Sequence, residues 1–312
     1  NAADLVMFVP TGSPLLMNAL ATNAWATVSM QKEGVSINVE ATWKAANSLA
    51  ALNVSDSAAV KIADAPADAF VRMGFRGDWT KIEDLVRSIA GERILRVLDD
   101  EKIDLNRDVF SLLAPGLMMA LSLAEQPPIA LGMSDLNLRK TNPFSYVQLI
   151  GAIHVKSEAS IEPSIDKLVS LAPKFGATMK KSDRPLGQFV VTSYAQGEGI
   201  HFAHQSNRIF FGAPLTRLEN IMRGTVQSSR DAKAQSEALQ IVFDFKQLAK
   251  SIRSIPESAW GIGGFAMKAT ALRWLDAVSD LSSLTIHANA QAQTLVVQGH
   301  LAFSSDAFTQ SK

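Results

Sequence analysis

The side chains best suited to binding a metal or moving a proton are five histidines, which are scattered along the chain. The closest pair, His201 and His204, lies in a segment that alternates as a β-strand does. Residues three apart on a strand point to opposite faces of a sheet, so these imidazoles cannot share one ion without a bulge. His287 and His300 lie on the polar sides of two later strand patterns, where the sequence forces no carboxylate beside them. We therefore predict no metal site, and we expect one histidine of the closest pair to be partly buried and the other solvated.

Several short motifs have the spacing of known catalytic or ligand-binding sequences, but none has the surroundings that the chemistry requires. Residues 261–266 match a dinucleotide-binding glycine loop, yet Pro256 precedes them where a buried strand should be. Residues 29–32 and 164–167 have the serine and lysine spacing of penicillin-recognising acyl enzymes without the other elements of that site. Residues 99–108 are rich in carboxylates, but the glycine and terminal glutamate of a calcium loop are not at the required offsets. We predict no catalytic residue and no cofactor, and an enzyme whose site is assembled from distant residues is the least favoured class.

Composition restricts both the class of protein and its partners. Of 312 residues, 47% are hydrophobic and 19% are charged, which allows a substantial core. Thirty basic residues balance thirty acidic ones, so no net field attracts nucleic acid, and we predict no nucleic-acid partner. The chain has no cysteine, which excludes disulfides and thiolate ligands. The longest apolar stretch, residues 112–123, contains Pro115 and is far shorter than the roughly 20 residues of a spanning helix, so we predict no transmembrane segment.

The first residues bear on cellular location. Residues 1–4 include neither an initiator methionine nor the basic and apolar parts of a signal peptide, which indicates a mature or trimmed start. If a signal peptide was removed, the protein is periplasmic or outer-membrane-associated, with a lipid anchor before residue 1 as one form of attachment. A trimmed cytosolic chain would begin in the same way, and we favour export.

A recurring order of patterns predicts the fold. A short apolar strand, an amphipathic helix and two further strands occur three times along the chain. The three sets are strand 5–9, helix 14–21 and strands 24–30 and 35–43; strand 69–75, helix 79–89 and strands 117–123 and 146–155; and strand 239–245, helices 246–252 and 270–278 and strands 284–290 and 294–303. The paired strands at the two ends of the chain alternate with period two around polar turns, as in antiparallel hairpins with one dry face. We predict an α+β fold, mainly antiparallel sheets from repeated strand-helix-hairpin units, with helices packed on one face.

The middle copy of this order is enlarged, which determines the predicted domain organisation. It gains a helix, a three-strand meander and a second helix, at residues 161–175, 188–194, 200–204, 208–212 and 214–222. On this basis we predict an N-terminal unit, a central α+β unit and a C-terminal unit, at residues 1–60, 61–230 and 231–312. One continuous domain is the alternative, and the unequal copies favour it over a solenoid array.

Three motifs in the middle of the chain carry a resemblance to a known family. They are LNRDV at residues 105–109 before a Pro-Gly and an apolar strand, a strand and helix at 147–171, and YAQGEG at 194–199 followed by RIFFG at 208–212. With these motifs, residues 63–223 resemble a loosely defined group of bacterial exported proteins and lipoproteins that share a domain of unknown function. The resemblance implies an envelope location and a repeated α+β architecture, and it supplies no catalytic residues.

Large apolar side chains are the remaining candidates for a binding surface. Tryptophan and methionine at strand or helix spacing are usually core residues, but a few can line a groove for a lipid, a peptide or a partner's strand. The candidate binding surface comprises Trp25, Trp43, Trp79, Met118, His201 and Phe211.

The sheet patterns, the zero net charge and the lack of a complete catalytic motif together indicate a function class. We predict a noncatalytic cell-envelope protein that acts as a binding or structural subunit for another macromolecule. The expected partner is a protein that uses an exposed sheet edge or an apolar patch. The alternative is a carrier or sensor of an apolar ligand, a lipid or a peptide, held between the sheet and its helices.

Overall fold

The structure of the chain, a computed structural model, contains one sheet of 13 strands together with α-helices. It describes residues 3–9, 21–43, 52, 61–83, 86–87, 91–124, 146–175, 181–186, 189–194, 200–205, 207–224, 228, 237–260, 264–277, 279–291 and 294–304. All neighbouring strands in the sheet are antiparallel, which confirms the predicted α+β class with an antiparallel sheet.

The elements are numbered in chain order. The strands are β1 Ala3–Val9, β2 Ala21–Gln31, β3 Gly34–Trp43, β4 Val71–Phe75, β5 Leu113–Leu123, β6 Val147–Val155, β7 Lys181–Leu186, β8 Phe189–Tyr194, β9 Ile200–Gln205, β10 Arg208–Ala213, β11 Leu239–Asp244, β12 Leu281–Gln291 and β13 Thr294–Phe303. The helices in the described residues are α1 Glu92–Asp100, α2 Leu105–Asp108, α3 Glu158–Val169, α4 Leu215–Met222, α5 Phe245–Ser254 and α6 Gly264–Ala277.

The strands lie in the order β1-β2-β3-β13-β12-β11-β4-β5-β6-β10-β9-β8-β7. We call the first six strands of this order the terminal half, because they come from the two ends of the chain, and the other seven the central half. The three predicted units all contribute to the sheet. β3 of the first unit pairs with β13 of the third, and β11 of the third pairs with β4 of the second. Backbone hydrogen bonds therefore join the three segments into one continuous sheet.

The two predicted terminal hairpins are confirmed. β2 pairs with β3 across a turn at Lys32 and Glu33, and β12 pairs with β13. At the start of β3, a Cβ added to Gly34 would lie 2.2 Å from the carbonyl oxygen of Leu301 in β13. Only glycine, which has no Cβ, permits this approach of two backbones.

The two faces of the central half carry separate apolar clusters. On one face, Met118 lies opposite Ala152 and both pack in a cluster with Leu218 of α4. Leu117, the neighbour of Met118, packs in the other cluster with Ile161 of α3. Successive strand residues point to opposite faces, so α3 and α4 lie on opposite sides of the sheet. The predicted packing of helices on one face is therefore not confirmed.

The repeated strand-helix-hairpin units are not confirmed either. The predicted helix at residues 14–21 falls outside the described residues, apart from residue 21, which begins β2. In the second unit, a 3₁₀ turn at Trp79–Lys81 follows β4, and residues 83, 86 and 87 of the predicted helix 79–89 are helical where the structure describes them. In the third, α5 follows β11 directly, and Asp244 accepts a hydrogen bond from the Gln247 backbone N–H at 2.8 Å as the cap of this helix.

The terminal half has one polar and one apolar face. Thr27, Asn38, Gln298 and His287 are paired in one row across four strands. The adjacent row, on the opposite face, consists of Val28, Ile37, Gly299 and Ile286. Where burial is described in β2, β3 and β12, the buried apolar residues with side chains are alanines, namely Ala24, Ala26, Ala41 and Ala288. Small side chains bury little apolar area, so these strands gain less from burial than the central strands.

Candidate functional site

The edge strand β1 is the most apolar boundary of the sheet. Its sequence, ADLVMFV, pairs on one side with β2, from Ala3 opposite Met30 to Val9 opposite Ala24. In the part of the chain that the structure describes, no strand pairs with its other side. Leu5 is 66% exposed and Val6 is 62% exposed. An edge of this kind presents unpaired backbone donors and acceptors together with apolar side chains.

The apolar surface beside β1 continues onto β2 and β3 on one face of the sheet and onto β2 on the other. Leu5, Met30 and Ile37 lie on one face, since Leu5 and Ile37 both pair with Val28, and Met30 lies two residues further along β2. Val6 lies on the other face, on the same side as Trp25 of β2, which is 51% exposed. The N-terminal edge therefore offers both a free backbone and apolar side chains on either side of it.

The opposite edge strand, β7, is built differently. Its sequence, KSDRPL, has five exposed residues, including three charged ones and Pro185. Lys181 Nζ donates to Glu162 and Asp166 of α3, at 2.9 Å each, and Arg184 lies 3.2 Å from Glu219 of α4. Charges and proline on an edge strand disfavour the addition of another strand, because a partner must desolvate the charges and proline has no N–H to donate.

A buried polar cluster lies under α4 in the central half. His201 is only 4% exposed, and its Nδ1 lies 2.6 Å from Ser193 Oγ on the paired strand. Its Nε2 is buried and has no hydrogen-bond partner among the described residues. Burial lowers the pKa of His201 below its usual value, and the charge of Glu219 opposes this shift. The neutral imidazole is thus favoured at this buried position.

The six residues of the candidate binding surface do not form one surface. Met118 and His201 are buried on the face covered by α4. Trp79 is buried in the cluster of the other face, where its Nε1 donates to the Ala114 carbonyl at 3.0 Å. A partner that binds the folded chain cannot reach these three side chains without displacing the helices.

The other three candidates also lie apart. Phe211 is half-buried in β10, and its ring covers Gly151, where an added Cβ would lie 2.1 Å from the ring. Trp43 ends β3, and its side chain lies outside the described part of the structure. Trp25 alone, of the five candidates whose side chains are described, adjoins the open apolar edge. A role in binding stays a prediction for this set.

A cleft of about 310 Å³ lies between helices α5 and α6 and the start of β12. Its lining is half apolar and half polar, comprising Phe245, Ala249, Leu275 and Leu281 with Lys246, Arg253, Asp276 and Ser279. Arg253 and Asp276 form an ion pair at 3.0 Å, and both are more than half exposed. The cleft lies between two helices and one end of a sheet strand, and its rim carries charged groups. An apolar ligand held between the sheet and its helices stays a prediction.

Two further features of the described residues bear on the site. They contain no group of three or more histidine, aspartate or glutamate side chains placed to hold a metal ion. Their helices include none with the length and hydropathy needed to cross a membrane. Sequence reasoning missed the contrast between the two edges, and the low charge of residues 3–9 beside the charges and proline of residues 181–186 is the signal that could have revealed it.

Fold and site together define an α+β protein built on a single antiparallel sheet with one apolar edge. No protein-family model matches the chain, and no curated protein is similar to it in sequence. A solved structure described as "Structure of crystal form I of TP0453" is similar over 80% of this chain and 81% of that chain, with 5% sequence identity and a TM-score of 0.34. We draw nothing about function from a similarity of this size.

Proposed function

We propose that this chain is a noncatalytic binding protein of the cell envelope that takes up an extended strand of a partner protein at the β1 edge. The observation that supports this proposal is the contrast between the exposed apolar β1 and the charged, proline-containing β7. The envelope location rests on the family resemblance.

Strand addition fits the chemistry of this edge. Each backbone hydrogen bond that an added strand makes contributes about 0.5–1.5 kcal/mol net. Because β1 already pairs with β2, alternate residues of this seven-residue strand have the N–H and C=O that an added strand can bond. Alternate side chains of the added strand would contact the apolar surface beside Leu5 on one face and beside Val6 on the other. Main-chain bonds then supply affinity, and the side chains on either face supply specificity.

The test uses backbone amide hydrogen exchange with a heptapeptide of alternating threonine and valine as the probe. We expect the peptide to slow exchange in residues 3–9 and to leave residues 181–186 unchanged. Leu5→Lys should weaken the binding about tenfold, which corresponds to about 1.4 kcal/mol, because it places a hydrated charge at the edge. Val190→Lys, at an exposed position of β8, is the matched control and should bind as the parent chain does. Protection at residues 181–186, or none at residues 3–9, would contradict the proposal.

A second candidate function, a carrier of a small amphiphilic ligand, rests on the cleft between α5, α6 and β12. Its volume of about 310 Å³ falls at the lower end of the roughly 300–1,000 Å³ found for ligand pockets. Lauric acid is a suitable probe, since Phe245 and Leu275 could contact its chain and Lys246 its carboxylate. We expect calorimetric binding that Ala249→Trp abolishes by filling the cleft, and equal binding by parent and variant would exclude this site.

A further inference from the structure

β1 is complementary to itself in one antiparallel register. In a dimer of this kind, a two-fold axis normal to the sheet relates two antiparallel copies of β1. Directly paired residues of antiparallel strands point to the same face of the sheet. The axis must therefore pass through a position at which one residue is paired with the same residue of the second copy. In the register centred on Val6, all seven residues of β1 find an opposite residue. Moving the centre to Leu5 or to Met7 leaves two residues at each end of the combined ladder without a partner.

The charge of β1 disfavours the register centred on Leu5, in which the two Asp4 residues would lie only two residues apart, and it is compatible with the register centred on Val6. Asp4 is the only charged residue of the strand. With Val6 at the centre, Asp4 is paired with Phe8 of the second copy, Leu5 is paired with Met7 of the second copy, and the two Asp4 residues are four positions apart along the strands. That separation is about 14 Å at the usual rise of about 3.4 Å per residue, which exceeds the Debye length of about 8 Å at physiological salt. The apolar residues thus face one another without like charges in opposition.

The charged residues and the proline of the β7 edge determine which assembly such pairing would form. A β1 strand that paired with β7 of another copy would leave a free edge at each end, and copies could add without limit. The charges of β7 and its Pro185 disfavour that contact. Pairing of β1 with β1 instead uses the open edge of both copies, so the assembly closes at two chains.

We propose that the strand bound at the β1 edge is β1 of a second copy, which makes the protein a two-fold dimer with one sheet continuous across Val6. This inference rests on the proposed function, because it names the partner of the same edge. A second copy matches β1 in length and places Leu5 and Met7 opposite each other.

The test combines crosslinking with the mass in solution. The chain has no cysteine, so Val6→Cys introduces a single thiol on the two-fold axis. Directly opposite residues have Cα atoms about 4.5–5.5 Å apart, within the range of about 4.4–6.8 Å that a disulfide spans. Leu5→Cys is the matched control, since its thiol would face Met7 of the second copy. With diamide as oxidant, we expect Val6→Cys to form covalent dimers at least about tenfold faster than Leu5→Cys.

Sedimentation equilibrium of the full chain gives the independent measurement. We expect a dimer that Val6→Lys converts to a monomer, because two ammonium groups would face each other, and that Val190→Lys leaves intact. A monomer at every concentration, equal crosslinking of the two cysteine variants, or a dimer that survives Val6→Lys would overturn the inference. In the monomeric case the threonine-valine peptide separates the two proposals: protection of residues 3–9 by the peptide leaves strand binding standing, and its absence removes both.

Discussion

A serine and a histidine face each other across paired strands in both halves of the sheet. In the central half, Ser193 Oγ lies 2.6 Å from His201 Nδ1, and the imidazole is buried. In the terminal half, Ser36 Oγ lies 3.0 Å from His300 Nδ1 in an exposed position. The two pairs have the same chemistry and lie on the same face of the sheet, so burial is what distinguishes them. A buried hydrogen bond is costly to break because its partner cannot turn to water instead.

The wider contrast between the halves follows the same principle. The central half buries large side chains on both faces, including Ile150, Leu218 and Val155. The terminal half buries alanines on one face and exposes large apolar residues at its edge. We infer that the central half provides most of the stability and that the terminal half provides the surface for binding.

The largest expected effect tests this division with one substitution made in each half. Ile150→Ala removes all of the side chain beyond Cβ from a residue that is 1% exposed, and we expect it to lower the free energy of unfolding by about 2–5 kcal/mol. Ile37→Ala, at a residue that is 42% exposed, should cost less than about 1 kcal/mol. Urea denaturation measures both. Equal losses would contradict the division of roles.

An effect of intermediate size on the free energy of unfolding is expected from the two serine-histidine pairs. Ser193→Ala leaves His201 Nδ1 buried without this partner, and we expect a loss of about 1–3 kcal/mol. Ser36→Ala at the exposed pair should change the free energy of unfolding by no more than about 0.5 kcal/mol. The same denaturation experiment compares them, and a larger loss at Ser36 would show that burial does not control the strength of this pair.

The smallest expected effect is a dependence on pH. Because burial lowers the pKa of His201 from its usual 6.5, against the opposing charge of Glu219, the unfolded chain takes up a proton before the folded chain does. As the pH falls below about 6.5, stability should decrease by up to about 1.4 kcal/mol per pH unit until the folded state is protonated as well. Glu219 of α4, which is paired with Arg184 of β7, is the charged group that limits this loss.

His201→Gln isolates this contribution. Below pH 6.5, we expect the free energy of unfolding of the variant to fall less steeply with decreasing pH than that of the parent. Above pH 6.5, the two free energies should change with pH in the same way. His154 also has a pKa lowered by burial, so part of the slope should remain. An identical slope in parent and variant would show that His201 does not contribute to the acid sensitivity.

The sequence revealed those parts of the fold that have a local pattern. Period-two alternation identified the terminal hairpins, because each strand has one dry and one wet face. β7 was missed, since its charges and Pro185 give no apolar alternation and only pairing with β8 makes it a strand. The candidate site was harder, because exposure depends on contacts between distant residues. Trp79, for example, is held in its buried position by a hydrogen bond to Ala114, which is 35 residues away. The position of β1 at an edge depends on the order of all the strands.

The pairing of β3 with β13 has a consequence for how the chain is made. Thr42 is paired with Thr294, so this ladder joins segments that are far apart in the sequence, and the first leaves the ribosome well before the second. Closing so long a loop is slow, and contacts of this kind form late in folding. Until residues 294–303 emerge, the edge of β3 that faces away from β2 has no β13 to pair with. The nascent segment of β1, β2 and β3 then has two unpaired edges in place of one. We expect this segment to depend on chaperones during synthesis, because unpaired strand edges promote aggregation.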